Sequence, residues 1–166
     1  MAYENYAARV RSFLYRMTRR DDLSDDLLQV TFLKLAEKGA ELRHDSDVRA
    51  WLFTVARNAY YDSLRLSPEI GLTDEHLNAL PLPTKESDAE LMLGDLEDAL
   101  AHLRRQDREL LLLIGVEGLS HETVATMLHV QPATLRQRLS RARARLLSEL
   151  ERAQAPLGKP HERTSA

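Results

Sequence analysis

The sequence predicts an all-α protein built of two small helical domains joined by a flexible linker. Three observations carry this. Apolar residues recur at spacings of three and four through both halves of the 166-residue chain, the period of a half-buried helix. Residues 67–86 break that pattern with Pro68, Gly71, Pro81 and Pro83, residues that end helices rather than continue them. The segment Gly118 to Arg145 then reads as a helix-turn-helix, with its basic face on the second helix. The expected order is a three-helix bundle over 1–66, an acidic linker over 67–86, a four-helix domain over 87–152 and a disordered tail over 153–166.

In the first helix, over about residues 3–19, Tyr3, Tyr6, Ala7, Val10, Phe13, Leu14 and Met17 form the buried stripe. The second, over about 23–38, aligns Leu28, Phe32 and Leu35, with Leu27 and Thr31 beside them. Val30 and Leu33 lie off that stripe; burial under a third helix is expected for them ahead of a partner surface. Gly39 is the expected C-cap. After a loop, Asp45, Ser46 or Asp47 caps a third helix reaching about Leu66. Val48, Trp51, Leu52, Val55, Ala56 and Ala59 make its core face, with Trp51 as an anchor, and Asn58, Tyr61 and Arg65 take the polar side. The proline-punctuated segment that follows is a tether, although Leu72, Leu77, Leu80 and Leu82 give it apolar points for docking.

The second domain opens on the stripe Ala89, Met92, Leu93, Leu96, Ala99, Leu100 and Leu103. Asp107 is the expected cap of the next helix, whose run Leu110 to Val116 is apolar almost all round and so deeply buried. Gly118 ends it. Ser120 then caps a helix with Val124, Ala125 and Leu128 on its apolar side. The chain breaks over His129 to Gln131. Pro132 restarts it in the first turn, where a missing N–H costs nothing.

That last helix sorts its residues by face. Leu135, Leu139, Ala142, Leu146 and Leu150 fall on one stripe, while Gln137, Ser140 and Ala144 point away. Arg136 and Arg141 flank the outer face, and Arg138, Arg143 and Arg145 lie nearer the apolar border, where long stems snorkel outward. No acid stands between Glu122 and Glu149. A solvated cationic face is the plain alternative. The preceding helix and turn favour a helix for the DNA major groove, with arginines for phosphates and guanine edges and Gln and Ser for bases.

The net charge of −3 conceals a strong partition. Residues 67–94 carry −5 and residues 95–131 carry −4, against +4 for residues 132–152. Local fields decide what docks where, and the overall acidity opposes strong indiscriminate DNA binding by the free protein. The chain has no Cys, which excludes disulfides and thiolate metal sites. No apolar run is long enough for a bilayer, and MAYENYAARV is not a signal peptide, so a cytoplasmic protein without membrane insertion is expected. Enzyme chemistry and cofactors are not expected. His121-Glu122 begins an HExxH pattern, but Ala125 replaces its second His. The acids Asp21, Asp22, Asp25 and Asp26 are explained by a helix N-terminus rather than a metal.

Taken together, DLLQVTFLKL (Asp26–Leu35), RAWLFTVARNAYYDSLR (Arg49–Arg65) and GLSHETVATMLHVQPATLRQRLSRARARL (Gly118–Leu146) resemble the extracytoplasmic-function (ECF) sigma factors of bacterial RNA polymerase. The resemblance covers about residues 2–152. It implies a protein that binds core polymerase and directs promoter recognition, melting and initiation. Its second helix, here with Asp26, Gln29, Thr31 and Leu33, is implied to dock on the β′ coiled coil, and its C-terminal domain on the β flap. Leu42, Arg43 and His44, with Asn58 nearby, are implied to capture a flipped −10 base. Arg136, Gln137, Ser140 and Arg141 are implied to read the −35 duplex, with Thr134, Arg138, Arg143 and Arg145 at phosphates. The acidic linker is similar to the family segment that threads toward the RNA exit path. An anti-sigma factor is the further partner implied. The chain departs from the family pattern at Arg104 (usually Pro), Thr123 (Glu), His129 (Gly), Gln131 (Ser) and Ala133 (Gly). The competing reading is a stand-alone helix-turn-helix regulator that binds paired operator half-sites as a dimer.

Overall fold

A computed structural model describes residues 2–42, 48–66 and 88–155. Its helices are α1 (Ala2–Thr18), α2 (Asp21–Lys38), α3 (Val48–Leu66), α4 (Asp88–His102), α5 (Arg105–Leu110), α6 (His121–Met127) and α7 (Pro132–Gln154). A 3-10 turn, Gly39–Glu41, follows α2, and a π-helical turn, Leu111–Val116, continues α5. Among the described residues no helix is long and apolar enough to cross a membrane. The expected linker, most of the tail and the proposed caps Asp45, Ser46 and Asp47 lie outside the described residues.

Helices α1, α2 and α3 pack on one another as a bundle. Val10, Phe13, Leu14 and Met17 from α1 meet Leu52, Phe53, Ala56 and Tyr60 from α3, all buried. Phe13 and Phe53 meet edge to face, with ring centroids 5.5 Å apart, a geometry that places a ring edge against a negative face. The turn from α1 to α2 runs through Arg19 at φ 56. Its N–H donates to the Tyr15 carbonyl at 2.7 Å, closing a left-handed helix cap without glycine. Arg11 holds Asp21 at 3.0 Å and Asp25 at 2.7 Å. These acids are therefore met by a cation of the same bundle.

In the C-terminal half α7 is the spine. Its Leu135, Leu139 and Ala142 are buried, as are Ala99, Leu100 and Leu103 of α4, Leu110 to Leu113, and Val124, Ala125 and Met127 of α6. The two halves also touch. Helix α1 packs against α5, and buried apolar residues of both halves join in one cluster.

Several expectations are corrected. Val30 and Leu33 are not absorbed by a third helix: they are 38% and 62% exposed. The reason is angular, since α1 and α3 cover the side of α2 that carries Ser24, Leu27 and Thr31, and Val30 and Leu33 point the other way. Met92 and Leu93 are exposed as well, burial on α4 being confined to residues from Gly94 onward among those described. The anchors of α3 are Phe53 and Tyr60, while Trp51 is half-buried. Gly39 is the C-cap of α2 as expected, in a right-handed conformation that leads into the 3-10 turn. Asp107 is not a cap. The helix begins two residues earlier, so Asp107 sits inside the first turn, where its charge suits the positive end of the dipole.

Candidate nucleic-acid interface

The helix-turn-helix is built by local chemistry. The Ser120 Oγ accepts the Thr123 N–H at 3.1 Å and donates to the Thr123 hydroxyl at 2.8 Å. Thr123 thus meets the cap through its backbone N–H and its hydroxyl, without the bond from a third-position acid to the Ser120 N–H that a capping box would add. Helix α6 closes through two bonds, Val130 N–H to the Ala125 carbonyl at 3.0 Å and His129 N–H to the Thr126 carbonyl at 3.2 Å. This is a Schellman closure, which places His129 in the left-handed region at φ 54. Gln131 precedes α7 in extended conformation without a side-chain cap, and Pro132 occupies the first turn.

Helix α7 turns Leu135, Leu139 and Ala142 inward, each no more than 2% exposed. That burial fixes the rotation of the whole helix. Arg136, Gln137, Arg138, Ser140, Arg141 and Arg143 are consequently exposed, and Thr134 is half-buried. Arg145 donates to Asp107 at 2.6 Å, yet its side chain remains 47% exposed. Leu146 and Leu150 are half-buried, so the apolar stripe thins toward the C-terminus.

Other candidates separate by geometry. Asp26, Gln29 and Leu33 share one exposed face of α2 with Val30. Thr31 does not belong to that face. It is fully buried, and its hydroxyl donates to the Leu27 carbonyl at 2.8 Å, which removes it from any surface contact. Leu42 is half-buried at the end of the 3-10 turn, while Arg43 and His44 lie outside the described residues. Asn58 is exposed on α3 and lines a cleft of about 570 Å³ with Trp51 and Thr54. The opposite wall of this cleft is α6 and its turn, through Glu122, Thr126 and His129.

A second crevice, of about 320 Å³, joins α3 to α5 and α7. Arg57 and Tyr61 enter it from α3, Asp107 and Glu109 from α5, and Arg138, Arg141 and Arg145 from α7. Glu109 forms an ion pair with Arg57 and accepts the Tyr61 hydroxyl at 2.9 Å. The Arg57 guanidinium lies over the Tyr61 ring, 4.6 Å from its centroid. Tyr61, expected on the polar side of α3, is half-buried and bonded into this crevice. Burial and the neighbouring carboxylate push its phenol above the usual range. Burial also holds the Glu109 carboxyl above its ordinary value, against the opposing pull of Arg57 and Tyr61.

Glu117 repeats the pattern at the end of the π-turn. Its carboxylate accepts from Arg9 Nε at 2.9 Å, and its carbonyl accepts from Arg49 at 3.2 Å. Burial raises this carboxyl too, opposed by Arg9. A third pair, Arg16 with Glu97 at 2.7 Å, links α1 to α4. Sequence reasoning missed these contacts. The available signal was two acids at the edges of an apolar run, at Glu109 and Glu117, where burial without a partner is expensive.

Comparison with known proteins agrees with this architecture. Residues 2–67 match the family model for sigma-70 region 2, and residues 93–146 match that for sigma-70 region 4. The chain is 33% identical to the RNA polymerase sigma factor CarQ of Myxococcus xanthus, over 90% of this chain and 88% of that protein. It is 31% identical to the ECF RNA polymerase sigma factor SigM of Bacillus subtilis, over 87% of this chain and 90% of that one. Among solved structures, it superposes on a chain of the co-crystal structure of the sigma factor RpoE with the anti-sigma factor NepR from Bartonella quintana. The TM-score is 0.72 at 30% identity, covering 90% of this chain and 94% of that chain. Two helical modules in this order, the second carrying a cationic helix with no acid from Pro132 to Ser148, together with these matches place the chain in the family of ECF RNA polymerase sigma factors.

Proposed function

We propose how the family's function is divided among this chain's residues. Helix α7 reads the −35 duplex, with Arg136, Gln137, Ser140 and Arg141 at base edges and Thr134, Arg138, Arg143 and Arg145 at phosphates. Leu42, Arg43 and His44, with Asn58, take a flipped −10 base. A base must leave its stack to be read in this way. The exposed stripe of Asp26, Gln29, Val30 and Leu33 docks on the polymerase β′ coiled coil, Val30 standing in for the buried Thr31. Residues 1–66 and 87–152 act as the two promoter-reading modules, the second also meeting the β flap, and residues 67–86 connect them. The protein works beside the polymerase in the cytoplasm, catalyses no reaction of its own, and is held by an anti-sigma factor until needed.

The observation that carries this reading is the rotation of α7. Burial of Leu135, Leu139 and Ala142 presents one polar strip bordered by arginines, with no acid along it. Run-off transcription tests it. Core polymerase with this protein should yield transcripts from a cognate promoter, and core polymerase alone should not. Equal output from both would refute the reading. Tight duplex binding by the free protein as a dimer, with no effect on core polymerase, would favour the stand-alone regulator.

A further inference from the structure

Three arginines recur on one side of α7. Arg138, Arg141 and Arg145 are spaced by three and four residues, the spacing of helix neighbours, and line the same crevice. Among the described residues, Arg145 is the one of the three with a carboxylate partner. That partner is Asp107, 38 positions earlier, in the first turn of α5. Both residues belong to the C-terminal module, where α5 and α7 pack directly on each other. The pair is therefore internal to the module that carries the recognition helix. The helix dipole accounts for an acid in the first turn of α5. It does not account for a 2.6 Å bond from that acid to the recognition helix.

We propose that Asp107 is a positioning residue for promoter binding: it holds the Arg145 guanidinium in place, so that α7 meets the duplex with one phosphate contact already set. The inference rests on the assignment of Arg145 to a phosphate given above. A recognition helix puts its N-terminal residues on base edges. Arg145 lies two turns beyond Gln137, about 12 Å along the axis. The major groove is about 12 Å wide, so a helix with Gln137 at the bases carries Arg145 out to the backbone that borders them. The ion pair leaves Arg145 able to do this. Asp107 engages one guanidinium nitrogen, Nη1, and the fork has further N–H donors for a second anion. The Arg145 side chain is 47% exposed and that of Asp107 only 11%. The carboxylate thus lies beneath, and the cation above it stays open to DNA.

A positioning acid and a bystander acid have effects of opposite sign. A carboxylate near a phosphate strand repels it, so removal of a bystander strengthens DNA binding. A carboxylate that orders a long, flexible cation reduces the freedom lost on binding, so its removal weakens binding. Burial favours the second role. Asp107 is fixed within α5, where its carbonyl accepts the Leu111 N–H, and it does not swing with solvent as a surface acid does. Phosphate contacts set orientation without reading bases. The contribution of Asp107 is therefore the same for every −35 sequence.

The test titrates a duplex promoter fragment that supports run-off against core polymerase carrying the full chain. Asp107→Asn keeps the size of the side chain and removes its charge. It should weaken binding by about two- to tenfold, the range for releasing one ordered long side chain, and equally on fragments that differ in their −35 bases. Arg145→Gln should weaken binding and lower the slope of log affinity against log salt by about 0.9. Asp107→Asn added to Arg145→Gln should cost nothing further, because the carboxylate then has nothing to hold. An equal loss in both backgrounds would make Asp107 a residue of fold stability alone and overturn the proposal. Unchanged or tighter binding by Asp107→Asn would overturn it too, the acid then being idle or a competitor of the phosphate. If Asp107→Asn loses its helical circular dichroism, Asp107→Glu, which keeps the charge and displaces the carboxylate by one methylene, decides by the same comparison. Arg145→Gln separates the two claims. Unchanged affinity and slope in that variant remove the phosphate assignment and the proposal with it, whereas a weakened variant without coupling to Asp107 rejects the positioning role alone.

Discussion

His129 sits at φ 54 in a closure that glycine fills at no steric cost. A β-carbon in this region costs roughly 1 kcal/mol or somewhat more. The imidazole is exposed, so removing it opens no core cavity. His129→Gly should therefore raise the urea midpoint of unfolding, a gain of about 1 kcal/mol offset in part by the freer unfolded chain. A lowered midpoint would mean that the ring makes a contact worth more than the strain. The recognition residues follow a different logic. Arg141 is exposed on the outer face of α7 and lines the crevice shared with α3. If it reads a base, Arg141→Ala weakens −35 binding by about 1–3 kcal/mol, and only on promoters carrying that base. A loss that is uniform across promoter variants would move Arg141 to the phosphate contacts. Thr31 shows why residue type alone misleads. Its hydroxyl is satisfied by a backbone carbonyl one turn back, a bond that spares a polar side chain inside a bundle the cost of an unpaired donor.

Helix α2 has apolar residues on two faces, and periodicity does not say which face the bundle takes. The stripe of Leu27, Leu28, Phe32 and Leu35 was legible, because α1 and α3 offer partners for it. The exposure of Val30 and Leu33 was not legible, because it depends on the angle at which α3 crosses. This separates stability from docking. Leu33→Glu, at a position 62% exposed, should change folding stability by no more than about 0.5 kcal/mol. The same change should weaken capture of core polymerase in a pull-down or titration. Full polymerase affinity in this variant would exclude the α2 stripe as the docking face. Helix α7 was read more completely. Its stripe Leu135, Leu139 and Ala142 needs only a 100° step per residue to define the opposite face. Its start at Pro132 was legible too, although Gln131 before it makes no side-chain cap.

At the scale of the molecule, the two halves meet through buried charge as well as apolar packing. Glu109 and Glu117 have folded-state values above the ordinary 4.5. A carboxyl raised in this way contributes stability that is full below its unfolded value and is lost as pH rises through the folded one. Relative to the Glu109→Gln, Glu117→Gln variant, the wild-type chain should therefore gain stability as pH falls from neutrality toward 4.5. Urea midpoints at several pH values check this, and parallel curves for the two proteins would show that neither carboxyl is titrating abnormally. From the sequence alone came the all-α class, the helices and their approximate limits, the Ser120 cap, the helix stop at Gly118 and the polar strip of α7. These depend on neighbours within a few residues, where spacing and side-chain type act directly on the backbone. Only the tertiary structure decided that Thr31 is buried, that Tyr61 bonds to Glu109, that Val30 joins Leu33 on an open face, and that Glu109 and Glu117 bridge the two modules. Those outcomes depend on which distant surface arrives at a side chain and whether it brings a cation, a carbonyl or water. Helical periodicity carries no record of that.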